Sequence, residues 1–224
     1  MRLLLTLVAL YLLSSCGLET VPSLDPPNVD YNDQTMVTNT TLSVKYQTAS
    51  GTDLQGYQVY YKIYPGKTNN FLRLVADRDS VNLSPTVSQL TNLGYYQMSQ
   101  SSSSTVSTGT AVTSLTPLLL SAGDNTVITL DFTSFEAASP VEPQLEVGGV
   151  ASGFLYRSSL LFSGNVNQSF TKLHTLGAGA TGADISATGT EYEINVFVVA
   201  YGLSSTLQAV YSKPVPWGVI RSLP

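Results

Sequence analysis

The sequence predicts an all-β fold, an antiparallel β-sandwich, on three observations. Apolar and polar residues alternate in "TLSVKYQ" (41–47), in "GYQVYYKIY" (56–64) and in "EYEINVFVVAYG" (191–202), which is the period of a strand with one buried face. These stretches are rich in β-branched and aromatic residues, which favour strands. Turn-forming residues recur along the chain and no long helical period interrupts it, as is typical of sandwiches.

Residues 1–15 have the layout of a secretory signal peptide. Arg2 is followed by an apolar run at residues 3–13, interrupted only by Thr6, and then by the small residues Ser14 and Ser15. The run is too short to span a bilayer, which takes about 20 residues, and its flanks are those of an export signal. We therefore expect residues 1–15 to be a signal peptide.

Cys16, the one cysteine of the chain, follows this run directly. Leu13-Ser14-Ser15-Cys16 resembles the lipobox of bacterial lipoproteins. The resemblance implies that the Cys16 thiol receives a diacylglycerol and that Cys16 becomes the first residue of the mature chain. Two or three acyl chains then anchor a protein stably in a membrane. An ordinary cleaved signal peptide followed by an incidental cysteine is the alternative.

Gly17, rather than an aspartate, follows the cysteine. In lipoproteins of Gram-negative bacteria an aspartate there is typical of retention in the inner membrane, so the resemblance implies the outer membrane. The domain would then face either the periplasm or the outside of the cell. Residues 16–40 contain three prolines and many turn-forming residues, so we expect this segment to be a lipidated, extended tether.

Residues 41–224 are expected to form a single sandwich-like domain with an insertion at about 65–188. Within the insertion, Ser84, Pro85 and Gly94 bracket a short predicted helix, because serine caps helix N-termini, proline fits the first turn and glycine follows helix ends. Another helical turn or two is predicted at 68–79.

Further strands are predicted within the insertion. They lie at "YYQMS" (95–99), on either side of a turn at 123–125, and in "GFLYRSSLLF" (153–162). The serine-rich residues 99–109 have no apolar period and predict a flexible loop.

Two of the strand patterns resemble fibronectin type III modules. "GYQVYYKIY" is similar to their C strand, and "EYEINVFVVAYG" with "AVYSKPV" (209–215) is similar to their F–G hairpin. In that family a tyrosine opens strand F and its hydroxyl closes a corner on the preceding loop; Tyr192 matches it. The resemblance implies a sandwich and a structural role for Tyr192. Trp217 lies after the last predicted strand, whereas the family's tryptophan lies on strand B, where Val44 or Tyr46 stands here.

Charge and composition exclude several classes of site. The net charge is −5 and 11% of residues are charged, without clusters of Lys and Arg, so we expect no nucleic-acid partner. His174 is the one histidine and Cys16 is lipidated in this interpretation, which excludes a structural zinc site. Asp124 and Asp184 are isolated acidic residues rather than a calcium-binding cluster. We expect no metal and no cofactor.

The sequence lacks catalytic motifs in the structural context that their chemistry requires. "GAGATG" (177–182) has the glycine spacing of a dinucleotide site, but a loop and a strand follow it where such a site needs a helix. No G-x-S-x-G motif occurs. We therefore expect no catalytic residues and no enzymatic activity. Six acidic residues are expected to be solvated, with Glu191 and Glu193 pointing outward: Asp131, Glu136, Glu142, Glu146, Glu191 and Glu193. The alternative is that several of them converge in space as a paired-carboxylate catalytic site.

Tyrosines give the strongest candidate for a binding surface. Tyr60 and Tyr64 alternate with the apolar residues of their strand, and Tyr201 lies on the corresponding second face near the C-terminus. If the two strands are neighbours, this face carries an aromatic patch suited to a protein or glycan ligand. The alternative is that the insertion packs over this face and buries it.

These observations together indicate a lipid-anchored envelope protein that acts as a non-enzymatic binding or adhesion module, with the membrane as one partner through acylated Cys16. The alternative is a structural or assembly lipoprotein of the periplasm or outer membrane. Exposure of Tyr60, Tyr64 and Tyr201 would favour the binding module, and a covered face would weaken it.

Overall fold

A computed structural model describes residues 24–29, 41–47, 53–66, 72–102, 115–133, 142–158, 169, 170, 184 and 192–221. Several of the residues discussed above lie outside these ranges, namely Cys16 with the rest of 1–23, His174, the loop 177–182, Glu136 and Glu191.

The described chain is built mainly of antiparallel strands, as the sequence predicts. In chain order the elements are β1 Thr41–Lys45, β2 Leu54–Pro65, α1 Leu72–Leu83, α2 Val87–Asn92, β3 Tyr96–Gln97, β4 Ser99–Ser101, β5 Thr116–Pro117, β6 Leu119–Leu120, β7 Val127–Asp131, β8 Gln144–Val147, β9 Val150–Tyr156, β10 Tyr192–Leu203, β11 Ala209–Tyr211 and β12 Val215–Arg221. They form two six-stranded sheets in a sandwich-like arrangement with two helices.

The first sheet has the strand order β1-β7-β8-β9-β4-β5. Five of these six strands come from the segment 65–188, which the sequence analysis treats as an insertion. This segment therefore supplies most of one layer of the sandwich. The turn at 123–125, where Asn125 has a φ of +64°, passes from β6, which pairs in the second sheet, to β7 in the first.

The second sheet has the order β11-β10-β2-β3, with β12 also paired to β10 and β6 also paired to β2. Its centre is the long ladder between β2 and β10, which runs from the Tyr192–Pro65 pair to the Gly202–Leu54 pair. At its far end a Cβ on Gly202 would lie 2.1 Å from the carbonyl oxygen of Asp53. Glycine is required there because no larger residue allows this close approach.

The core lies between the two sheets and contains the predicted alternating residues. Leu42, Val44 and Tyr46 from the β1 segment meet the inner face of the second sheet. The buried residues on that inner face are Tyr57, Val59, Tyr61, Ile63, Tyr192, Ile194, Val196, Val198 and Ala200. Burial of each large apolar side chain contributes about 1.5–3 kcal/mol to stability.

β11 and β12 lie one after the other along the same edge of β10. The Ser212 N–H donates to the Ala200 carbonyl, and the Ser212 hydroxyl accepts from the Ala200 N–H at 2.9 Å. Trp217 lies within β12 and donates its indole N–H to the carbonyl of Ser43 in β1 at 3.0 Å. The expectation that Trp217 follows the last strand is therefore wrong. Pro216 of β12 lies beside a β-bulge, where the register with β10 shifts.

The two helices cover the outer face of the second sheet, the face that points away from the first sheet. Leu74 and Val81 of α1 and Leu90 of α2 are buried against Phe197 and Val199 of β10. The second helix begins later than predicted, because Thr86 rather than Ser84 is its N-cap and accepts a hydrogen bond from the Gln89 N–H.

Part of the expected tether packs against the sandwich. Leu24 is 9% exposed and belongs to the core between the sheets, and Val29 packs against it. Residues 24–29 contain no helix or strand, in keeping with an extended chain. The extended segment therefore contacts the domain at these residues rather than holding clear of it.

Candidate functional site

The strand register places the predicted tyrosines on one face. β2 and β10 are neighbours, and the ladder pairs Tyr60 with Phe197, Lys62 with Asn195, and Tyr64 with Glu193. Because directly paired residues point to the same side of a sheet, these side chains share the outer face of the second sheet. Tyr201 lies further along the same face of β10.

Tyr60 is covered rather than exposed. It is 5% exposed and belongs to the cluster that α1 and α2 form with the outer face. The Tyr95 ring packs edge-on against Phe197 beside it, with ring centroids 5.1 Å apart. The Tyr60 hydroxyl donates to Oε1 of Gln58 at 2.8 Å. At Tyr60 the structure therefore agrees with the alternative that the insertion covers this face, because the helices of the segment 65–188 pack over it.

Tyr64 is half-buried and its hydroxyl is occupied. The hydroxyls of Tyr64 and Tyr95 both donate to Oδ2 of Asp77, each at 2.7 Å. Asp77 lies on α1 and is 8% exposed. Burial raises the pKa of both tyrosines, and the neighbouring Asp77 carboxylate raises it further. This buried carboxylate fixes α1 to the sheet.

Two cations contact the same tyrosine rings. The Lys62 ammonium lies 4.5 Å from the centroid of Tyr64 and 5.7 Å from that of Tyr95. The Arg73 guanidinium lies 5.0 Å from the Tyr64 centroid. Burial lowers the pKa of Lys62, while Asp77 opposes this shift. Such cation–π contacts stabilise the covered face, so Tyr64 is engaged within the protein.

Glu193 is fully buried, so the expectation that it points to solvent is wrong. The alternation of β10 sends Tyr192 inward and Glu193 outward from the core, as predicted, but the outer face is itself covered. Glu193 is 0% exposed, and its backbone pairs with Tyr64 in β2 and with Arg221 in β12. The period of a strand predicts the face of a residue and not what covers that face.

The open part of the outer face carries a pair of tyrosines at the β10–β11 end. Tyr201 and Tyr211 are cross-strand partners with ring centroids 5.5 Å apart and planes tilted by 45°. Tyr211 is 40% exposed and Tyr201 is half-buried. This tyrosine pair is the candidate binding surface that remains of the predicted patch, and the sequence analysis did not single out Tyr211.

Tyr192 lies at the start of β10 and its side chain is buried in the core between the sheets. Burial raises the pKa of its phenol. This position suits the structural role that the resemblance implies, while the corner hydrogen bond itself stays a prediction.

A buried polar network, which no motif in the sequence indicates, connects the two sheets. The Arg157 guanidinium donates to Oδ1 of Asp184 at 2.6 Å, and the Tyr61 hydroxyl donates to Oδ2 of the same carboxylate at 2.5 Å. The Ser158 N–H donates to the Tyr61 hydroxyl at 2.9 Å. These partners are far apart in the chain, so no local motif reveals them.

A second carboxylate, Glu142, is 4% exposed, so the expectation that it is solvated is wrong. It accepts hydrogen bonds from the Ser169 hydroxyl and from the Phe170 N–H. The Phe170 ring packs edge-on against both Tyr61 and Phe132, with centroids 5.4 Å apart in each case. Glu142 and Asp184 therefore both hold the ordered core together.

The described residues contain neither a clustered metal site nor a membrane-spanning helix. Within the part of the chain that the structure describes, no three or more His, Cys, Asp or Glu side chains come together as a metal site. The candidate acidic residues Asp131, Glu142, Glu146 and Glu193 thus do not form such a cluster. None of the described helices is long and apolar enough to cross a bilayer.

A polar groove of about 470 Å³ opens between the sheets near β4, β5, β6, β8 and β9. Its eleven lining residues are all uncharged and include five with hydroxyl groups. We call this feature the serine groove. It is formed by elements other than β10 and β11, so it is separate from the tyrosine pair.

No family model matches this chain, and neither a curated protein nor a solved structure matches it.

Proposed function

We propose that this chain is a lipid-anchored envelope protein of a bacterium and acts as a non-enzymatic binding or adhesion module. The observation that carries the anchoring is Leu13-Ser14-Ser15-Cys16 directly after the apolar run at 3–13, with Cys16 the one cysteine of the chain. Acylation at Cys16 attaches the domain to the membrane, and the outer membrane is favoured because Gly17 replaces an aspartate.

The binding role is supported by the tyrosine pair. Helices cover Tyr60 and engage Tyr64, yet Tyr211 stays 40% exposed beside Tyr201. Tyrosine rings combine a large apolar surface with a polar tip and are enriched where proteins bind ligands. We therefore place the contact with a protein or glycan ligand at Tyr201 and Tyr211 rather than at the whole predicted patch.

The order of strands supports kinship with fibronectin type III modules as part of the proposal. β2, β10 and β11 are neighbours in the second sheet, as the C, F and G strands are in such sandwiches. They are the segments that resemble those strands in sequence.

A structural or assembly role in the envelope is the second candidate. The burial of Tyr60 favours it, because it leaves a smaller exposed aromatic surface than an adhesion face of three tyrosines.

Anchoring is tested by labelling cells with an alkyne analogue of palmitate and separating membranes from soluble protein. The wild type should take up label and sediment with membranes, while Cys16→Ser should lose the label and remain unprocessed or soluble. Ser15→Ala is the matched control, since it keeps the cysteine and a small residue before it. Cys16→Ser protein that is labelled and sediments like the wild type would contradict the proposal.

Ligand binding is tested with a photo-crosslinking amino acid at Tyr211 and, as control, at exposed Asn82 on α1. Crosslinks specific to Tyr211 in intact cells support adhesion at the cell surface. Crosslinks to envelope proteins only after permeabilisation favour the assembly role. Equal crosslinking from the two positions contradicts a binding role for the tyrosine pair.

A further inference from the structure

We propose that the serine groove binds one end of a neutral oligosaccharide. The inference goes beyond the proposed function, because it depends neither on acylation nor on the tyrosine pair. Its walls are Gln100, Ser102, Thr116, Ser121 and Ser152.

The groove has a polar rim and an apolar floor. Ser102, Thr116, Ser121 and Ser152 are exposed, while the apolar residues Leu119 and Val147, which also line the groove, are half-buried. A sugar ring has hydroxyl groups around its edge and C–H groups on its faces. The hydroxyl and amide groups of the rim match the edge of the ring, and the side chains of Leu119 and Val147 match a face.

The absence of charge in the lining selects a neutral ligand. None of the eleven lining residues is acidic or basic. A charged ligand would lose water in the groove and find no opposite charge to replace it, which is costly. A purely apolar ligand would instead leave the rim hydroxyls without water or a partner.

An extended peptide fits this site less well than a saccharide. Peptides commonly bind sandwiches by adding a strand to a free sheet edge. The edge strand here is β5, Thr116–Pro117, at the end of the first sheet. Pro117 has no N–H to donate, and proline on an edge strand opposes strand addition.

Backbone contacts join the strands that carry the groove. The Met98 N–H donates to the Val59 carbonyl at 2.8 Å, and the Leu118 N–H donates to the Met98 carbonyl at 2.7 Å. A Cβ on Gly153 would lie 3.2 Å from the Ser101 carbonyl oxygen, so glycine lets β9 lie close to β4. The volume of about 470 Å³ is within the range of about 300–1,000 Å³ of small-molecule sites.

The test uses the full chain purified in detergent and calorimetric titration with four trisaccharides. Three are neutral, namely maltotriose, cellotriose and tri-N-acetylchitotriose, and the fourth is the acidic trigalacturonate. We expect at least one neutral trisaccharide to bind with a Kd of about 1 mM or below, and trigalacturonate to bind at least tenfold more weakly. Failure of all three neutral sugars to bind, or equal binding of the acidic one, would overturn the proposal.

Variants then locate the site. Ser152→Phe and, separately, Ser121→Phe fill the groove from exposed positions and should weaken binding at least tenfold. Ser88→Phe makes the same change at an exposed position on α2 and should leave affinity unchanged. Tyr211→Ala should also bind normally. Loss of binding in Tyr211→Ala, or wild-type affinity in both groove variants, would show that the sugar does not occupy the groove.

Discussion

The hydroxyl of Tyr95 donates to the Asp77 carboxylate at 2.7 Å, and through this bond α1 is tied to the sheet that it covers. The same carboxylate oxygen accepts from Tyr64 on β2. One charged group thus satisfies two phenols from different parts of the chain. The outer face is covered by a polar junction as well as by apolar packing.

Asp77→Ala should destabilise the protein by about 2–4 kcal/mol, because it leaves two buried or half-buried hydroxyls without their acceptor. Urea denaturation measures this as a lower midpoint. Asp79→Ala is the control: that side chain is 62% exposed and pairs with its neighbour Arg78, so its loss should cost about 0–1 kcal/mol. Equal effects of the two variants would show that Asp77 does not hold the helix.

Removal of one partner of the Arg157–Asp184 ion pair should cost about 3–5 kcal/mol, because a buried charge is left without compensation. Arg157→Met with Asp184→Leu in one chain should recover a large part of that loss. A double-mutant cycle by urea denaturation measures the coupling between the two positions. Additive effects of the two single changes would contradict a direct interaction.

Stability should fall as the pH rises above 10. Burial holds the pKa of Tyr61 and Tyr95 well above the ordinary value of 10.0. Above pH 10 these tyrosines ionise in the unfolded chain and stay protonated in the folded one. Each then lowers the free energy of unfolding by up to about 1.4 kcal/mol per pH unit. The pKa of Lys62 is lowered in the folded protein. This makes the free energy of unfolding rise with pH, but only until the pH reaches the ordinary pKa of lysine.

Urea midpoints between pH 8 and pH 11.5 measure this dependence. In Tyr95→Phe the decline above pH 10 should be shallower, since one buried phenol is gone. A profile that stays flat to pH 11.5 in the wild type would contradict the protonated state of these side chains.

The alternation of apolar and polar residues predicted the inner faces of β1, β2 and β10. Successive side chains of a strand point to opposite faces, and the apolar ones face the core. The alternation also predicted the outer position of Tyr60, Tyr64 and Tyr201. It did not predict that helices cover part of this face, since coverage depends on where another segment packs. Glu193 shows the limit: its face was predicted, and its burial was not.

Other features escape sequence analysis because their partners are distant in the chain. Arg157, Asp184 and Tyr61 form one network, yet no spacing along the chain marks them as a group. Ser84 was the predicted helix cap and Thr86 is the observed one. Both residues have a suitable hydroxyl, so the sequence alone does not select between them. The serine groove is lined by five separate strands and their flanks, so composition alone does not reveal it.

The hydrogen bond from the Trp217 indole to the Ser43 carbonyl affects when the domain can fold. β1 meets β12, and β2 meets β10, across most of the length of the chain. Folds dominated by such non-local pairings form slowly. The sandwich therefore closes only after the residues around Trp217 are available, and a chain exported from its N-terminus would complete this domain after transport rather than during it.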